Sequence, residues 1–404
     1  MTRAFGIYVH IPYCLQICTY CDFVKFESRD LPPSGEYISL LQRELKTRAL
    51  AFGSRELTSV YFGGGTPSLF TPQEILTILN SITNKEAGAG FPLAPNAEIT
   101  LEINPGTLTA ESIDEFLRIG ITRFSVGAQT FDESLLKVTG RKHSVKDTIE
   151  TLALLRDRGV NYSFDLLFGL PGQRLEGLQS DVARALEFKP SHLSAYNLTV
   201  PAKHPLNAGR ASDDEQAEMF EFIESELRKH GILRYEVSNF AKPGFESQHN
   251  LLYWSDAPYW GLGIGSHSYI PRGVDSRVDE IAPWGTRFWN PATIAAYRTE
   301  LKRVSGPTFW KDLKPERFEK LAAHEALTDF THTALRSQKG LSNEAIRAKF
   351  GERAAGLVQE RLQAENLKNF LSRRGGIWAL APQGQAMADR VFEAMTFLAD
   401  DKIV

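Results

Sequence analysis

The segment Ile99-Thr100-Leu101-Glu102-Ile103 has the apolar pattern of a buried strand, and its carboxylate stands next to the end of the strand. A helical pattern follows over residues 110–119 and is closed by Gly120. The same order of strand and helix recurs roughly six times in the first 240 or so residues. Regular alternation of this kind predicts a parallel sheet with helices packed outside it.

Polar side chains stand near the carboxyl ends of several predicted strands, namely Glu102, Gln129, Asp165 and Asn197. A barrel carries its site at this end of every strand, around one rim, whereas an open sheet uses a single switch point. We therefore predict an α/β fold that is a partial (β/α)6 TIM-like barrel, rather than a doubly wound sheet.

Changes in composition divide the chain into three expected parts. Residues 1–240 are expected to form the barrel. Residues 241–310 are rich in Gly, Pro, Trp and Tyr and are expected to form a loop-rich extension that covers the barrel mouth. Residues 311–404 are expected to form a small winged-helix-like domain, because helical patterns precede a hairpin pattern around Arg373-Arg374-Gly375-Gly376.

Length and charge exclude several classes of function. The chain has 404 residues and a formal net charge of -3, which does not indicate binding to nucleic acid or to an anionic membrane. No apolar run reaches the roughly 18 residues of a membrane span. Residues 1–8 lack the basic and long apolar regions of a secretory signal, so we expect a cytoplasmic protein.

All three cysteines of the chain lie close together, at Cys14, Cys18 and Cys21. An odd number in one tight group argues against a disulfide framework. Thiolates suit iron–sulfur clusters, which usually have four of them. Three thiolates would leave one iron of a [4Fe–4S] cluster open to a small chelating ligand. The alternative is zinc held by these cysteines and His10, although structural zinc sites usually present two Cys-x-x-Cys pairs and this chain has one.

The spacing Cys-x3-Cys-x2-Cys, with Tyr20 before the last cysteine, resembles the signature of the radical S-adenosylmethionine (SAM) family. Residues 7–14 resemble the oxygen-independent coproporphyrinogen III oxidase group within it. Further motifs of that group follow in the same order at residues 63–67, 125–129, 164–171, 235–241 and 249–254. The resemblance covers most of residues 7–270 and implies a [4Fe–4S] cluster with SAM on its open iron.

Within that group the chain is most similar to the HemW-type heme chaperones. The oxidases carry a further cysteine two residues after the last ligand, and this chain has Phe23 there, as the HemW type does. The stretch His-Asn-x-x-Tyr-Trp at residues 249–254 also resembles that type. The resemblance implies a protein that binds heme and transfers it to an acceptor protein, with the membrane as one place of transfer and a homodimer as one assembly.

The resemblance also implies roles for individual residues around SAM. Carboxylates can accept hydrogen bonds from ribose hydroxyls or an ammonium group, and a guanidinium can pair with the methionyl carboxylate. Each such residue, taken alone, is also common on a solvated rim, and a glycine run is also common in a tight turn. The implied cofactor-binding residues are Tyr8, Tyr20, Gly64, Gly65, Thr66, Glu102, Gln129, Arg141, Asp165 and Thr199.

His249 is a candidate heme ligand, because imidazole binds iron and the motif is expected near the barrel mouth. The alternative is a hydrogen-bonded histidine within a folded extension. Enzymatic alternatives to the chaperone are radical decarboxylation of coproporphyrinogen III and another radical reaction on a tetrapyrrole, such as heme degradation. The missing cysteine at position 23 argues against the decarboxylase, and no catalytic residue is assigned.

Overall fold

The computed structural model describes residues 4–53, 55–86, 88–386 and 388–403. The first three residues of the expected barrel part and Val404 lie outside these ranges. The strands are β1 Gly6–Ile11, β2 Tyr13–Cys14, β3 Phe26–Glu27, β4 Leu57–Gly64, β5 Leu93–Ile103, β6 Arg123–Gln129, β7 Asn161–Phe168, β8 His192–Asn197, β9 Leu233–Arg234, β10 Asn239–Ala241, β11 Tyr259–Leu262, β12 His267–Pro271, β13 Gly285–Trp289, β14 Phe318–Lys320, β15 Leu341–Ser342, β16 Leu371–Arg374 and β17 Ile377–Leu380.

The α-helices supply the outer layer of the barrel and most of the C-terminal domain. They are α1 Ser34–Arg48, α2 Pro72–Thr83, α3 Ala110–Arg118, α4 Glu133–Val138, α5 Val145–Asp157, α6 Leu175–Glu187, α7 Asp213–Lys229, α8 Gln248–Tyr253, α9 Ser276–Asp279, α10 Ile294–Arg303, α11 Ala323–Arg336, α12 Asn343–Phe350, α13 Glu352–Leu362, α14 Pro382–Ala386 and α15 Ala388–Ala394.

One large sheet carries the fold, in the order β14-β13-β12-β11-β1-β4-β5-β6-β7-β8-β10-β9. The run from β11 through β1 and β4 to β8 is parallel, and the strands at both ends of the sheet are antiparallel. Each of β1, β4, β5, β6, β7 and β8 is followed by a helix before the next of these strands. This is the predicted partial (β/α)6 barrel.

Local signals fix where the barrel helices begin. Thr71 accepts a hydrogen bond from the backbone N–H of Glu74, whose carboxylate accepts from the N–H of Thr71, and Pro72 occupies the first turn of α2. Ser212 and Glu215 form the same reciprocal pair at the start of α7. Such pairs satisfy N–H groups that a helix start leaves without partners, so the helix boundaries are encoded locally.

The extension at 241–310 adds strands to the large sheet, and its Asn250 lines the cavity at the carboxyl ends of the parallel strands. Its strand β11 pairs in parallel with β1, from Gly6 with Tyr259 to Val9 with Leu262, and β12 and β13 continue the sheet outward. The segment therefore widens the sheet beside β1. With β4 on its other side, β1 is paired along both edges, and β11 satisfies the backbone groups that would otherwise be exposed there.

The C-terminal domain has its own hydrophobic core, which begins at Leu321, while β14 just before it still belongs to the large sheet. Helix α11 leads into β15, α12 and α13, and β16 and β17 form the predicted hairpin, with Gly375 and Gly376 at positive φ in its turn. This order is that of a winged helix. The ring of Trp284 stacks on Phe350 and joins the domain to the extension.

Candidate functional site

A cavity of about 410 Å³ opens at the carboxyl ends of the parallel strands, with the cysteine loop as one of its walls. Cavities of this size hold small-molecule ligands. Nearly all the residues singled out in the sequence meet here. Those that line it are Cys14, Cys18, Tyr20, Cys21, Gly64, Gly65, Thr66, Glu102, Gln129, Arg141, Asp165 and Thr199.

The three thiols are close enough to influence each other's ionisation. The pKa of the Cys14 thiol is raised to about 11, mainly by burial and also by negative charge on Cys21 and Cys18, while a hydrogen bond with Thr66 opposes the shift. Burial also raises the pKa of Cys21. Three thiolates that repel each other are stabilised by a multiply charged metal centre, so this donor set fits an iron–sulfur cluster.

The glycine run beside the thiols leaves no room for side chains. A Cβ on Gly65 would lie 2.9 Å from Cys14 Sγ and 2.7 Å from the carbonyl oxygen of Tyr13. Gly64 has φ +117°, and a Cβ on it would lie 2.6 Å from the His10 ring. Only glycine lets the backbone pass this close to the cysteine loop.

His10 is not placed to complete a zinc site. Its Nε2 lies 2.6 Å from the carbonyl oxygen of Val24, and its Nδ1 lies 3.1 Å from the hydroxyl of Tyr8. Burial lowers the pKa of His10 to about 4, so the ring is neutral. Because both ring nitrogens have hydrogen-bond partners, the zinc alternative lacks its fourth ligand at this position.

Two carboxyl groups face the cavity, Glu102 from β5 and Asp165 from β7, with β6 between these strands. Glu102 accepts hydrogen bonds from the Tyr61 hydroxyl, at 2.8 Å, and from the backbone N–H of Gly64, at 3.0 Å. Burial raises the pKa of Glu102 to about 7 and that of Asp165 to about 6. Positively charged or hydroxyl groups of a ligand would favour the ionised forms, which makes both residues suited to bind the ammonium or ribose of SAM.

Arg141 links the cysteine loop to the glycine run. Its Nη2 donates to the Tyr20 hydroxyl at 2.7 Å, and its Nη1 donates to Asn104 Oδ1 at 2.9 Å. Asn104 Nδ2 in turn donates to Thr66 Oγ1 at 3.0 Å. Asn104 was absent from the sequence prediction, although it directly follows a strand and carries the same signal as Glu102.

Three further predicted residues take different positions around the cavity. Gln129 is buried at the end of β6 with φ +69°, a left-handed conformation that few residues other than glycine adopt. Tyr8 lies under the glycine run, where a Cβ on Gly63 would come within 2.8 Å of its ring. Thr199 is exposed on the rim, and its hydroxyl donates to the carbonyl oxygen of Asn197.

The structure places His249 under the barrel wall instead of at the mouth. Its Nδ1 lies 2.8 Å from Ser59 Oγ and its Nε2 lies 3.0 Å from the Tyr253 hydroxyl, and the ring stacks on Tyr61. The side chain is 1% exposed, and burial lowers its pKa to about 3. In this arrangement neither ring nitrogen is open to a heme iron, because α8 is packed against β4.

A buried cation at the base of the cavity was missed in the sequence. Arg123 donates from Nη2 to Ser163 Oγ at 2.7 Å, and its Nε lies 3.9 Å from Glu98 Oε2. Arg123 is the first residue of β6. The prediction is based on residues at the carboxyl ends of the strands, and Arg123 lies at the other end. Periodicity could not reveal it, since a charged residue at a strand start is more often exposed.

The raised pKa of Glu102 predicts a pH-dependent stability. A folded-state pKa above the ordinary value of 4.5 favours the folded state below pH 4.5, and this advantage is lost as the pH rises towards 7. In cofactor-free protein, the free energy of unfolding should therefore fall by about 3 kcal/mol more between pH 4.5 and 8 in the wild type than in Glu102→Gln. Urea titrations at four pH values measure this difference.

Glu218→Gln is the control for that measurement, because Glu218 is exposed on α7. Its pH profile should run parallel to that of the wild type. A Glu102→Gln profile parallel to the wild type would contradict the assigned environment of Glu102.

The family model of the radical SAM superfamily matches residues 8–185. The chain is 32% identical to the heme chaperone HemW of Bacillus subtilis, over 96% of this chain and 98% of the relative. It is 30% identical to HemW of Mycobacterium tuberculosis, over 97% of this chain and 95% of the relative. With HemW of Escherichia coli it shares 37% identity over 66% of this chain and 70% of that relative.

A solved structure shares the architecture over nearly the whole length. Coproporphyrinogen III oxidase (HemN) from Escherichia coli, a radical SAM enzyme, superposes with a TM-score of 0.78. The alignment covers 98% of this chain and 90% of the oxidase, at 19% identity. Identity at this level shows a common fold.

Proposed function

This chain belongs to the HemW heme-chaperone family of radical SAM proteins, and from that membership we propose that it binds heme and transfers it to an acceptor protein. The observation that carries the proposal is the similarity to HemW proteins across almost the whole of both chains. The transfer is proposed to take place in the cytoplasm or at the membrane surface, by a monomer or a homodimer. None of the helices in the described part of the chain has the length and apolar character of a membrane crossing.

As a radical SAM protein the chain binds a [4Fe–4S] cluster and SAM, and we propose Cys14, Cys18 and Cys21 as the cluster ligands. When bound, the cluster would supply an open iron for the amino and carboxylate groups of SAM. Glu102 and Asp165 would accept hydrogen bonds from the ribose or the ammonium group. The glycine run, together with Thr66, would give the amino end of SAM access to the backbone.

The proposed role of Arg141 is twofold. Its contacts with Tyr20 and Asn104 fix the cysteine loop against the glycine run, and its positive charge would pair with the methionyl carboxylate. Gln129 and Thr199 would close the adenosine side of the cavity, and Tyr8 would support the glycine run from below. Positions in the lining of one cavity support the roles of Arg141, Gln129 and Thr199, and the close approach of the Tyr8 ring to Gly63 supports that of Tyr8.

The proposal excludes coproporphyrinogen decarboxylation as the main activity, because Phe23 occupies the position of the additional cysteine. Phe23 is 65% exposed at the rim of the cavity. An exposed phenyl ring offers no thiol to a reaction and instead presents an apolar surface.

Two parallel assays on anaerobically reconstituted protein test the function. Heme titration should give a Soret change that saturates at micromolar heme, because specific ligand pockets of this kind bind in about that range. Incubation with coproporphyrinogen III, SAM and a reductant should give no protoporphyrinogen. Formation of protoporphyrinogen at catalytic turnover, or the absence of saturation by heme, would overturn the proposal.

A further inference from the structure

A second and larger cavity, of about 1130 Å³, lies outside the barrel. We call it the outer cleft. Its walls are α7, the ends of β7 and β8, and the C-terminal domain at Phe370 and Asp389. Residues of the barrel and of the C-terminal domain therefore both line it, and it is separate from the cysteine loop.

The barrel cavity is too small for both ligands that the proposed function requires. At about 410 Å³ it suits one ligand of the size of SAM. Heme is a broader molecule, with a flat apolar macrocycle and two propionate groups. With SAM in the barrel, heme needs another site of larger volume.

Aromatic side chains form part of the lining of the outer cleft. Phe220 on α7 stacks on Phe168 with ring centroids 5.9 Å apart, and Phe370 of the C-terminal domain also lines the cleft. Ala217 stands one helical turn before Phe220 and is exposed. A flat macrocycle can lie against rings arranged in this way.

Two guanidinium groups at one end of the cleft share a single carboxylate. Glu224 lies 2.7 Å from Arg228 Nη2 and 3.4 Å from Arg234 Nε. The Arg234 side chain is 5% exposed, and among the described residues its buried Nη2 has no hydrogen-bond acceptor. An unpaired buried donor is costly, and a carboxylate of a ligand would supply the missing acceptor.

Acidic residues elsewhere in the cleft restrict the occupant further. Asp213 lies at the opposite end of α7, about 22 Å along the helix from Arg228. Glu221 and Asp389 also line the cleft. A wholly anionic ligand would be repelled, whereas an apolar ring with carboxylates on one edge can place them at the arginine end.

The cleft shares a wall with the barrel cavity. Asn197 lines both, and Arg210 donates from Nη2 to Asn197 Oδ1 at 3.2 Å and to Gln216 Oε1 at 2.9 Å. Gln216 also lines the outer cleft. A ligand in the cleft therefore contacts a hydrogen-bond network that reaches the barrel cavity.

We propose that the outer cleft is the heme site, with the macrocycle against Phe220 and a propionate at Arg234 and Arg228. This inference rests on the proposed function and assigns that function a place in the molecule. It also gives the C-terminal domain a role, since that domain supplies one side of the site.

The test is heme titration of the reconstituted full chain in three variants. Ala217→Trp fills the cleft and should weaken heme binding about tenfold or more, the equivalent of losing about 1.4 kcal/mol. Glu218→Trp places the same ring at the neighbouring exposed position outside the cleft lining and should bind heme as the wild type does. Arg234→Gln should weaken heme binding by about tenfold through loss of a charge-assisted hydrogen bond.

The dimethyl ester of heme separates propionate recognition from simple apolar binding. The wild type should bind free heme more tightly than the ester, and this preference should be smaller in Arg234→Gln, which keeps only Arg228 at that end of the cleft. Cluster absorbance and SAM binding, retained in every variant, show that the fold is intact. Wild-type saturation by heme with undiminished binding in Ala217→Trp would place heme elsewhere and leave the chaperone function standing, whereas no saturation in the wild type would remove the function itself.

Discussion

Cys14→Ala is expected to lose the visible absorbance of the iron–sulfur cluster almost completely while the protein remains folded. The chain has no cysteine besides Cys14, Cys18 and Cys21, so no other thiolate can take the vacant place. The change removes one sulfur atom from a largely buried position, which should cost only about 1 kcal/mol of folding free energy. Iron and sulfide per chain after anaerobic reconstitution measure the effect.

Thr19→Ala is the control within the same loop. Thr19 is exposed and its side chain makes one long hydrogen bond, at 3.4 Å, to the carbonyl oxygen of Val138. This variant should keep its iron and sulfide. Cys14→Ala should also still bind heme in the outer cleft, because that cleft does not include the cysteine loop. Unchanged iron and sulfide in Cys14→Ala would refute the ligand assignment.

Arg48→Met is expected to destabilise the fold by about 3 kcal/mol, because it leaves the buried carboxylate of Glu44 without its cation, while Glu300 keeps Arg317. Arg48 is fully buried and donates from Nη1 to Glu44 at 3.1 Å and to Asn290 at 2.8 Å. Its Nη2 donates to Glu300 at 3.0 Å. These contacts tie α1 to the extension, so urea unfolding followed by tryptophan fluorescence should shift to lower denaturant.

Arg347→Met is the matched control, since Arg347 is 46% exposed and pairs with Glu352 on the surface. Exposed ion pairs contribute about 0–1 kcal/mol, so this variant should unfold close to the wild type. Equal, small effects of both substitutions would mean that the remaining donors to Glu44 and Glu300 carry the stability of this network.

The barrel could be predicted because its signals are local. The capping residues Thr71 and Ser212 mark helix starts within four residues, and the glycines at 375 and 376 mark the hairpin turn. The place of the extension could not be predicted in this way. Strand β11 has four residues and pairs with β1, about 250 positions earlier, and nothing in a short apolar stretch specifies so distant a partner.

In the candidate site, too, some residues could be predicted from local signals in the sequence and others could not. Residues at strand ends, such as Glu102 and Asp165, converge because the carboxyl ends of parallel strands share one rim. Arg123 enters the cavity from a strand start and escaped this rule. The outer cleft depends on the position of the C-terminal domain opposite α7, which no single segment of sequence encodes.

The hydrogen bonds of His249 affect how a substitution there is to be interpreted. Replacing it with alanine would leave the hydroxyls of Ser59 and Tyr253 without these hydrogen-bond partners and open a void beside Tyr61. Weakened porphyrin uptake in such a mutant would then report damage to the scaffold. A loss of heme binding can be attributed to lost iron coordination by this imidazole only in a mutant whose thermal unfolding matches that of the wild type.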